Sequence, residues 1–296
     1  MLNDVGSALS ARGVLSSKEN DKRNEKCGTF SIDESSNNSA IGTVSWLDFS
    51  QLGRDITSIV AVSQKHVLTS SNIVLSHNLT TSIWIHNNSV FDYKGFCKNK
   101  TESLELPTDV MRSLGKASRF NLLQGYILNL CDGDRNDFHP LIFVTSEASG
   151  NFVCITDRNT KLTKGAKADT FLYNKVSGQI EIMKMKILNV REVLIALYLR
   201  SNSGGYVGGP VVTVVGGRVT AIGILRNDLL RDRWILAASF RKIEESLCMS
   251  FGICNEETTH DDSSSEYDNH HKSTSDSFSA FLEKCLENSK TTNPNF

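Results

Sequence analysis

The sequence predicts an all-β domain that ends in one helix. Short runs rich in β-branched and aliphatic residues follow one another along the middle of the chain, and clusters of Gly, Asn, Asp or Ser separate them. Turns at intervals of ~8–12 residues are typical of a β-sandwich or a β-barrel. Inside this region only the stretch 237–249 shows convincing helical periodicity.

The strands are predicted from these runs in chain order. The predicted strands are 57–62, 82–85, 125–131, 141–145, 180–188, 193–199, 211–215 and 218–225. Between the last two strands, Gly216-Gly217 is a strong signal for a two-residue hairpin turn, because both turn positions need residues that tolerate positive φ. The sequence therefore predicts that these two strands pair with each other.

Two helices are predicted, on either side of a polar linker. The first, 237–249, closes the β domain; its buried stripe and its terminating glycine are Phe240, Ile243, Leu247 and Gly252. The linker 255–276, with seven acidic residues and one Lys, carries a charge of −6 and is predicted to be disordered. A short amphipathic helix is predicted over 277–290. The sequence leaves open whether this helix docks on the domain or on a partner.

Composition excludes several classes of protein. The chain has 296 residues, of which 39% are hydrophobic and 22% are charged, as in globular proteins. The net charge of −1 provides no global basic field, so neither nucleic acid nor an anionic membrane is expected as a partner. The longest apolar run, 193–199, is far shorter than the ~18 residues of a membrane-spanning helix, so no transmembrane segment is expected. No motif for a metal or a cofactor stands out, and none is expected.

The N-terminal segment 1–26 is polar and lacks the apolar stretch of a secretory signal peptide. Two explanations stay open: the protein remains inside the cell, or this start is not the native one. Four N-x-Ser/Thr sequons favour the second explanation, since such sequons are acceptors for glycosylation in secreted proteins. The sequons are at Asn37, Asn78, Asn87 and Asn99.

Two motifs and the closing helix carry a resemblance to a known family. Residues 66–73 read HVLTSSNI, and residues 205–212 read GYVGGPVV. These segments resemble the histidine motif and the nucleophile loop of the chymotrypsin/trypsin-like serine proteases. The resemblance implies two six-stranded antiparallel Greek-key β-barrels plus a C-terminal helix. The implied domain, first barrel, second barrel and helix are 27–254, about 40–140, about 141–236 and 237–251.

Further fragments narrow the resemblance to one branch of that family. The fragments are Lys18-Glu19-Asn20 before Cys27-Gly28, LELP at 104–107 after Cys97, GYILNLC at 125–131 before FHPLI at 138–142, and FGIC at 251–254 after Cys248. Together they are similar to a branch that is expanded in nematodes and known as a domain of unknown function. The resemblance covers 16–254 and implies an extracellular protein.

The positions that would carry catalysis hold residues without the required chemistry. A serine protease needs a hydroxyl nucleophile, an imidazole base and a carboxylate that orients the base. The position of the base holds Asn72, whose amide has no basic nitrogen to accept a proton. The position of the nucleophile holds Val207, and the carboxylate is matched by Gln124 or Gly125. The resemblance therefore implies that base, nucleophile and acid are all replaced.

The loop around the nucleophile position keeps its glycines. Gly205 is expected to shape a turn like an oxyanion hole, but an oxyanion hole without nucleophile and base is a poor catalyst. Tyr206 stands where an activated protease has the Asp that pairs with its new N-terminus. In another alignment Ser203 would be a displaced nucleophile, with His66 or His77 as its base.

The seven cysteines are expected to form an incomplete set of disulfide bonds. The resemblance implies a bond between Cys27 and Cys131, and it leaves Cys154 without a partner. Cys248 and Cys254 could pair with each other or with other cysteines of the domain.

The sequence thus predicts a catalytically inactive trypsin-like homologue that binds a peptide, a protease or a protease inhibitor. Two alternatives stay open. One is an active serine-type endopeptidase that uses Ser203, and the other is a decaying gene copy without a selected function.

Overall fold

The computed structural model describes most of the chain up to residue 255. The described ranges are 13–31, 40–48, 53–74, 76–78, 83–86, 89–91, 103–114, 120–129, 139–146, 150–174, 178–199, 209–230 and 234–255. The chain divides into two compact units, Met1–Asn255 and Glu256–Phe296. The predicted linker beyond residue 255 and the predicted helix 277–290 lie outside the described residues.

The described residues of the first unit form mainly β-strands. In chain order the strands are β1 (Ile41–Asp48), β2 (Gly53–Ser63), β3 (His66–Ser70), β4 (Ser76–Asn78), β5 (Ile83–His86), β6 (Ser89–Phe91), β7 (Ser103–Glu105), β8 (Leu122–Leu128), β9 (Pro140–Thr145), β10 (Cys154–Ile155), β11 (Lys167–Asn174), β12 (Gln179–Val190), β13 (Leu194–Leu199), β14 (Pro210–Val215), β15 (Arg218–Leu230) and β16 (Trp234–Ser239). The α-helices are α1 (Ser17–Lys26), α2 (Thr108–Ser113) and α3 (Glu244–Phe251), and short 3₁₀ helices cover Ser71–Ile73 and Phe240–Ile243.

The first sheet has six strands among the described residues, in the order β1-β2-β3-β9-β8-β7. Every neighbouring pair is antiparallel. Alternate side chains point to one face of the sheet and form an apolar core. This core includes Val44, Ile59, Val67, Ile127, Leu141 and Phe143. The short strands β4, β5 and β6 pair in a separate antiparallel sheet.

The second sheet closes on itself. Its described strands follow the order β11-β12-β13-β16-β15-β14, and β14 pairs again with β11. The two-residue strand β10 joins the outside of this barrel by parallel pairing with β15. Side chains of Met185, Leu197, Ile222 and Ile235 fill the interior. The two-barrel architecture that the resemblance implied is confirmed.

A third apolar cluster joins the two barrels and the C-terminal helix. Leu68 and Ile142 of the first sheet contribute to it, as do Phe171 and Ile224 of the second sheet. Phe240, Ile243 and Leu247 complete this cluster and are 0%, 2% and 1% exposed, so the predicted helical stripe is confirmed. Burial of one such side chain contributes about 1.5–3 kcal/mol relative to exposure. The helix thus holds the two barrels together.

Two boundaries differ from the sequence prediction. Strand β9 belongs to the first sheet because it pairs along its length with β3, so the first barrel extends to Thr145 rather than to about 140. The helix begins later than 237, because Ala237 to Ser239 complete β16 before the 3₁₀ turn at Phe240. The helix ends as predicted, at Gly252 with φ 65°.

The predicted hairpin is present. Val215 at the end of β14 pairs with Arg218 at the start of β15. Gly216 and Gly217 between them have φ 56° and 79°, and two positive φ angles in succession are what a type I′ turn requires.

Part of the N-terminal polar segment folds as helix α1. Ser16 begins it with a capping box, in which its side chain and that of Glu19 each accept a backbone N–H of the other residue. The face that α1 turns to the domain is polar and consists of Asn20, Arg23 and Asn24. Asn20 accepts from the backbone N–H of Cys254 and donates to its carbonyl oxygen at 2.8 Å, which joins α1 to the end of the domain.

The disulfide pattern corrects the sequence prediction. Cys27 is bonded to Cys154, so the expected pairing of Cys27 with Cys131 is wrong, and Cys154 is not the unpaired cysteine. Cys248 and Cys254 are bonded to each other, which is one of the open alternatives. Cys27 directly follows α1, and Cys154 begins β10, so the first bond fixes the N-terminal segment to the barrels.

Candidate functional site

The position expected for the base lies at the end of a fully buried strand. Strand β3 is buried along its whole length, and the 3₁₀ helix Ser71–Ile73 that carries Asn72 follows it directly. The backbone N–H of Ser71 donates to the carbonyl oxygen of His139 at 2.9 Å and fixes the start of this turn. Ile73 is 4% exposed and packs in the core of the first sheet. The backbone at Asn72 is therefore held between two buried neighbours, while its side chain lies outside what the structure describes.

The two positions considered for the acid lie on β8. Gln124 faces the surface, where its Nε2 donates to Oε1 of Glu105 at 3.4 Å. Gly125 is buried and has no room for a side chain, because a Cβ there would lie 2.7 Å from Leu106 Cδ1 and 2.8 Å from Phe143 Cε1. Neither position presents a carboxylate.

Of the nucleophile loop, the structure describes only the C-terminal end. Ser203, Gly205 and Val207 lie outside the described residues, and the described chain resumes at Gly209. The carbonyl oxygen of Gly209 accepts from the backbone N–H of Leu225 at 2.9 Å. A Cβ on Gly209 would lie 2.9 Å from the carbonyl oxygen of Phe171, so only glycine fits here without displacement of the backbone.

Side chains of both barrels surround Gly209. Ser58 of β2 has its Oγ 3.0 Å from where a Cβ on Gly209 would be, and this hydroxyl donates to the carbonyl oxygen of Phe171. The carbonyl oxygen of Ser58 in turn accepts from Thr69 Oγ1 at 3.1 Å. Thr69 is three residues before Asn72, and Gly209 is two residues after Val207. The structure therefore brings the histidine motif and the end of the nucleophile loop into one region between the barrels.

The comparison with protein families decides what this arrangement is. The model of the nematode trypsin-6-like family matches residues 5–254, which include both motifs and the closing helix. The chain belongs to the nematode trypsin-6-like family. The resemblance inferred from the sequence fragments is confirmed. No curated protein matches the sequence.

The comparison with solved structures found similarity to two proteins at low sequence identity. The scabies mite inactivated protease paralogue S-I1 has 10% sequence identity and a TM-score of 0.46, and the match covers 75% of this chain and 97% of that one. A protease of M. tuberculosis in its active form has 10% identity and a TM-score of 0.42, with 72% and 81% covered.

The segment 66–73 contains one histidine, His66, which lies six residues before the base position and is buried inside the domain. It is 0% exposed, and its ring packs edge-on against Phe251 of α3 with 5.5 Å between centroids. Burial lowers the pKa of His66 to about 4, and the nearby cations Lys65 and Arg23 act in the same direction. The imidazole is neutral at pH 7 and has no access to a substrate, so it cannot serve the displaced nucleophile as a base.

A Ser–His pair is present at this point but has a structural environment. Ser63 Oγ lies 2.7 Å from His66 Nδ1, and the same hydroxyl accepts from the backbone N–H of Lys65 at 3.0 Å. Ser63 is 1% exposed. The other ring nitrogen of His66, Nε2, is buried and has no hydrogen-bond partner of good geometry. The nearby backbone of Gly13 raises the pKa of His66 and so opposes part of the lowering that burial causes. A nucleophile must reach a substrate carbonyl, and this buried hydroxyl does not.

The N-terminal connection is fixed to the second barrel. Gly28 donates its N–H to the carbonyl oxygen of Phe152 at 2.8 Å and accepts from the N–H of Val219 at 2.9 Å. Together with the bond from Cys27 to Cys154, these contacts hold the chain where it passes from α1 to the barrels. Tyr206 lies outside the described residues, so its environment stays a prediction.

Two further sequence expectations concern side chains or residues that the structure leaves undescribed. His77 and the sequon residue Asn78 lie on β4, where the backbone alone is described, and Asn37, Asn87 and Asn99 lie outside the described ranges.

Among the described residues no group of three or more His, Cys, Asp or Glu side chains could hold a metal ion. Within the same ranges, no helix has the length and apolarity needed to cross a membrane.

Sequence reasoning missed Ser58 and Arg23. Ser58 lies within a predicted strand, and nothing in the sequence marks it as the residue that links β2 to the nucleophile loop. Arg23 is the largest fully buried side chain of the described structure. The signal that could have found it is the capping box of Ser16 and Glu19, which predicts a helix over a polar sequence.

Proposed function

We propose that this member of the nematode trypsin-6-like family does not cleave peptide bonds and acts by binding a peptide, a protease or a protease inhibitor. The observation that carries the proposal is that the histidine motif offers no exposed imidazole to act as a base. Asn72 follows β3 at the position expected for the base, and the imidazole of His66, at the other end of β3, is neutral and 0% exposed. A hydroxyl without a base in reach is a weak nucleophile at neutral pH.

The acid positions support the same proposal. Gly125 is enclosed by Leu106 and Phe143, so the strand geometry leaves no space for an orienting carboxylate there. The Gln124 side chain is directed to Glu105 at the surface. Loss of the orienting group alone lowers turnover by about 10⁴-fold in a serine protease, so the combined replacements leave negligible hydrolysis.

The binding part of the proposal rests on the framework that remains around the loop. Gly209 keeps its close packing against the Phe171 carbonyl, and Ser58 and Thr69 tie that packing to β3. These contacts hold the end of the nucleophile loop against the histidine motif, as a cleft between the barrels requires. A protease-like cleft without the catalytic groups can hold a peptide segment and release it uncut.

The test of inactivity is covalent labelling with a serine-directed fluorophosphonate, together with turnover of casein and of a fluorogenic peptide library. We expect neither labelling nor turnover at pH 6–9. An active trypsin-like protease treated in parallel shows that the reagents work. Labelling of any serine would overturn the proposal, and Ser203→Ala and Ser63→Ala variants would then identify which hydroxyl reacted.

The binding test uses a Kunitz-type protease inhibitor as probe, because such inhibitors present a preformed peptide loop to the cleft of trypsin-like proteases. Titration calorimetry with the full chain should show saturable binding, and Val207→Arg, a bulky change at the position that the resemblance assigns to the nucleophile, should weaken it. A Lys22→Gln variant on the exposed side of α1 is the matched control and should bind unchanged. If the Kunitz-type inhibitor does not bind, capture of an inhibitor is excluded as the function, and binding of a peptide or a protease remains.

An extracellular location is part of the proposal. The bonds Cys27–Cys154 and Cys248–Cys254 support it, because stable disulfides form in oxidising compartments. Glycosylation at Asn37, Asn78, Asn87 or Asn99 would follow from secretion. Native protein recovered from extracellular fluid should lose mass on treatment with a peptide N-glycosidase. Recovery from the cytosol in reduced form would contradict this location.

A further inference from the structure

The disulfide bond Cys248–Cys254 lies at the end of helix α3, close to the last described residue. It spans the left-handed turn at Gly252, whose N–H donates to the carbonyl oxygen of Cys248 at 2.9 Å. The two cysteines are only 6 residues apart, so the bond restricts the path of the chain as it leaves the helix. The position of the Cys254 backbone therefore depends on a covalent bond as well as on the capping of α3.

The Cys254 backbone pairs with the polar face of helix α1. Its carbonyl oxygen accepts from Nδ2 of Asn20 at 2.8 Å, from Nδ2 of Asn24 at 3.1 Å and from Nη1 of Arg23 at 3.5 Å. Its N–H donates to Oδ1 of Asn20 at 3.2 Å. One cysteine of the disulfide bond thus contacts all three buried side chains of the helix. A shift of Cys254 changes all of these hydrogen bonds at once.

Helix α1 lacks an apolar face that would hold it without these hydrogen bonds, because its buried residues are all polar. The ion pair from Glu19 to Lys65 is partly exposed, and exposed ion pairs contribute little to stability. The C-terminal end of α1 is held separately, by the bond from Cys27 to Cys154 and by Arg218, which donates to the carbonyl oxygen of Asn24. The preceding turns of the helix therefore depend strongly on Cys254.

The two described disulfide bonds differ in how strongly the fold retains them. A bond and the fold stabilise each other by the same free energy, so a bond that closes a short loop is retained less strongly. Cys27 is 4% exposed in the core of the first sheet, and Cys154 packs against that core. Cys248 and Cys254 are partly exposed and belong to none of the three apolar clusters of the described structure. A reductant therefore reaches and opens the C-terminal bond first.

We propose that Cys248–Cys254 is a reduction site for a thioredoxin-type dithiol, and that its opening releases helix α1 from the domain. One thiolate of the dithiol attacks a sulfur of the bond and forms a mixed disulfide, and the displaced cysteine leaves as a thiolate and takes up a proton. The second thiolate of the dithiol then breaks the mixed disulfide, and the other cysteine takes up a proton. Two electrons and two protons pass from the dithiol to the protein, and the reductant leaves as a disulfide.

Release of α1 uncovers apolar surface beneath the N-terminal segment. Leu15, just before the helix, lies in the apolar cluster that contains Val62 and Phe251, and its N–H donates to the carbonyl oxygen of Phe251 at 2.9 Å. Val62 is 0% exposed, and its carbonyl oxygen accepts from Arg23 of the helix. Contiguous exposed apolar surface is typical of protein interaction sites. The redox state of one bond thus controls whether this surface is covered. The proposal rests on no catalytic position, so it does not depend on the proposed function.

The test treats the full chain at neutral pH with reduced thioredoxin, and in parallel with graded ratios of reduced to oxidised dithiothreitol. Alkylation of the newly formed thiols and peptide mapping identify the reduced bond, and hydrogen exchange reports on the amides of 20–26. We expect labelling of Cys248 and Cys254 before Cys27 and Cys154. Because an isolated helix of 10 residues is marginal in water, exchange at 20–26 should then rise on the order of tenfold. Exchange of the β12 amides should stay unchanged.

Two double variants separate the effect of the bond from a general loss of stability. Cys248→Ser with Cys254→Ser should exchange fast at 20–26 without reductant and should not respond to it. Asn20→Ala with Asn24→Ala removes two side chains that pair with Cys254, so exchange at 20–26 should already be raised and reduction should add little. Circular dichroism of each variant shows that the β domain stays folded.

The matched control is Lys18→Ala with Lys22→Ala, on exposed positions of α1, which should respond to reduction as the wild type does. Three outcomes would overturn the proposal. The first is labelling of Cys27 and Cys154 before the C-terminal pair. The second is unchanged exchange at 20–26 once that pair is reduced. The third is an equal rise in exchange at 20–26 and in β12, which would show global destabilisation instead of release of the helix.

Discussion

The Nε atom of Arg23 donates to the carbonyl oxygen of Val62 at 2.9 Å. The guanidinium is fully buried, and its Nη1 donates to Oδ1 of Asn24 at 2.6 Å and reaches the carbonyl oxygen of Cys254 at 3.5 Å. No carboxylate in the described structure forms an ion pair with it, and Nη2 has no hydrogen-bond partner. Burial lowers the pKa of Arg23 to about 10, so the side chain stays charged at neutral pH and is held by carbonyl oxygens.

Replacement of Arg23 by Ala should destabilise the protein by about 3–4 kcal/mol. The change leaves the buried carbonyl of Val62 without its donor and opens a cavity beneath α1. Urea unfolding followed by tryptophan fluorescence measures the loss. The control is Lys22→Ala on the exposed side of the same helix, which should stay within about 0.5 kcal/mol of the wild type. Equal effects of the two changes would show that Arg23 does not tie α1 to the domain.

Helix α1 shows what a hydrophobic pattern cannot predict. Its buried positions Asn20, Arg23 and Asn24 follow helical spacing, and Cys27 continues the same spacing, but the helical residues are all polar. A search for apolar periodicity therefore finds nothing in SKENDKRNEK. The polar face is stable because backbone atoms of Val62 and Cys254 pair with it, and the sequence contains no sign of where those atoms lie. By contrast, the hairpin at Gly216-Gly217 is local and was predictable from its two residues.

Stability should fall as the pH drops from 7 to 5 because of His66. Its pKa is about 4 in the folded protein and near 6.5 when unfolded, so the unfolded chain binds the proton first. The stabilisation is complete above pH 6.5 and is lost as the pH falls towards 4; by pH 5 the loss is about 2 kcal/mol. Lys65 and Arg23 disfavour the protonated ring, whereas Glu19 favours it. Urea unfolding at pH 7.5, 6 and 5 measures this slope.

The matched variant for this pH dependence is His66→Phe, which keeps a buried ring without a titrating nitrogen. Its unfolding free energy should change little between pH 7.5 and 5. Glu19 does not interfere in this window, because its pKa is lowered to about 2 by Lys65 and Ser16, and its contribution is lost only below pH 4.5. A slope that persists in His66→Phe would assign the pH dependence to other groups.

The bond Cys27–Cys154 should contribute more stability than Cys248–Cys254. The first closes a loop of sequence separation 127 and the second a loop of 6, and loop-closure entropy predicts about 5 and about 2 kcal/mol respectively. The two double Cys→Ser variants, compared by urea unfolding, test the difference. Equal losses, or a peptide map that pairs Cys27 with Cys131 under non-reducing conditions, would contradict the structure.

The cysteine pairing and the catalytic positions mark two limits of sequence reasoning. Spacing alone does not determine connectivity, and the partner of Cys27 depends on β10 being added beside β15, next to Gly28. The order of the sequence motifs assigns the base position to Asn72 and the acid position to Gln124 or Gly125, and the loss of catalytic chemistry at these positions stays a prediction. The closeness of Gly209 to Ser58 could not be identified, because it depends on how two separate barrels pack.

Gly28→Ala should be much more damaging than Gly165→Ala, although both glycines have positive φ, 68° and 85°. A Cβ at Gly28 would lie 2.5 Å from the carbonyl oxygen of Val219 and 2.6 Å from its nitrogen, whereas nothing lies within 4 Å of a Cβ at Gly165. Gly165→Ala should therefore cost about 1 kcal/mol, for the backbone conformation alone. Gly28→Ala adds a clash with backbone and endangers the hydrogen bond from Val219, so a loss of about 3 kcal/mol or more is expected. Urea unfolding of the pair measures the difference, and equal losses would show that the N-terminal connection is not packed against β15.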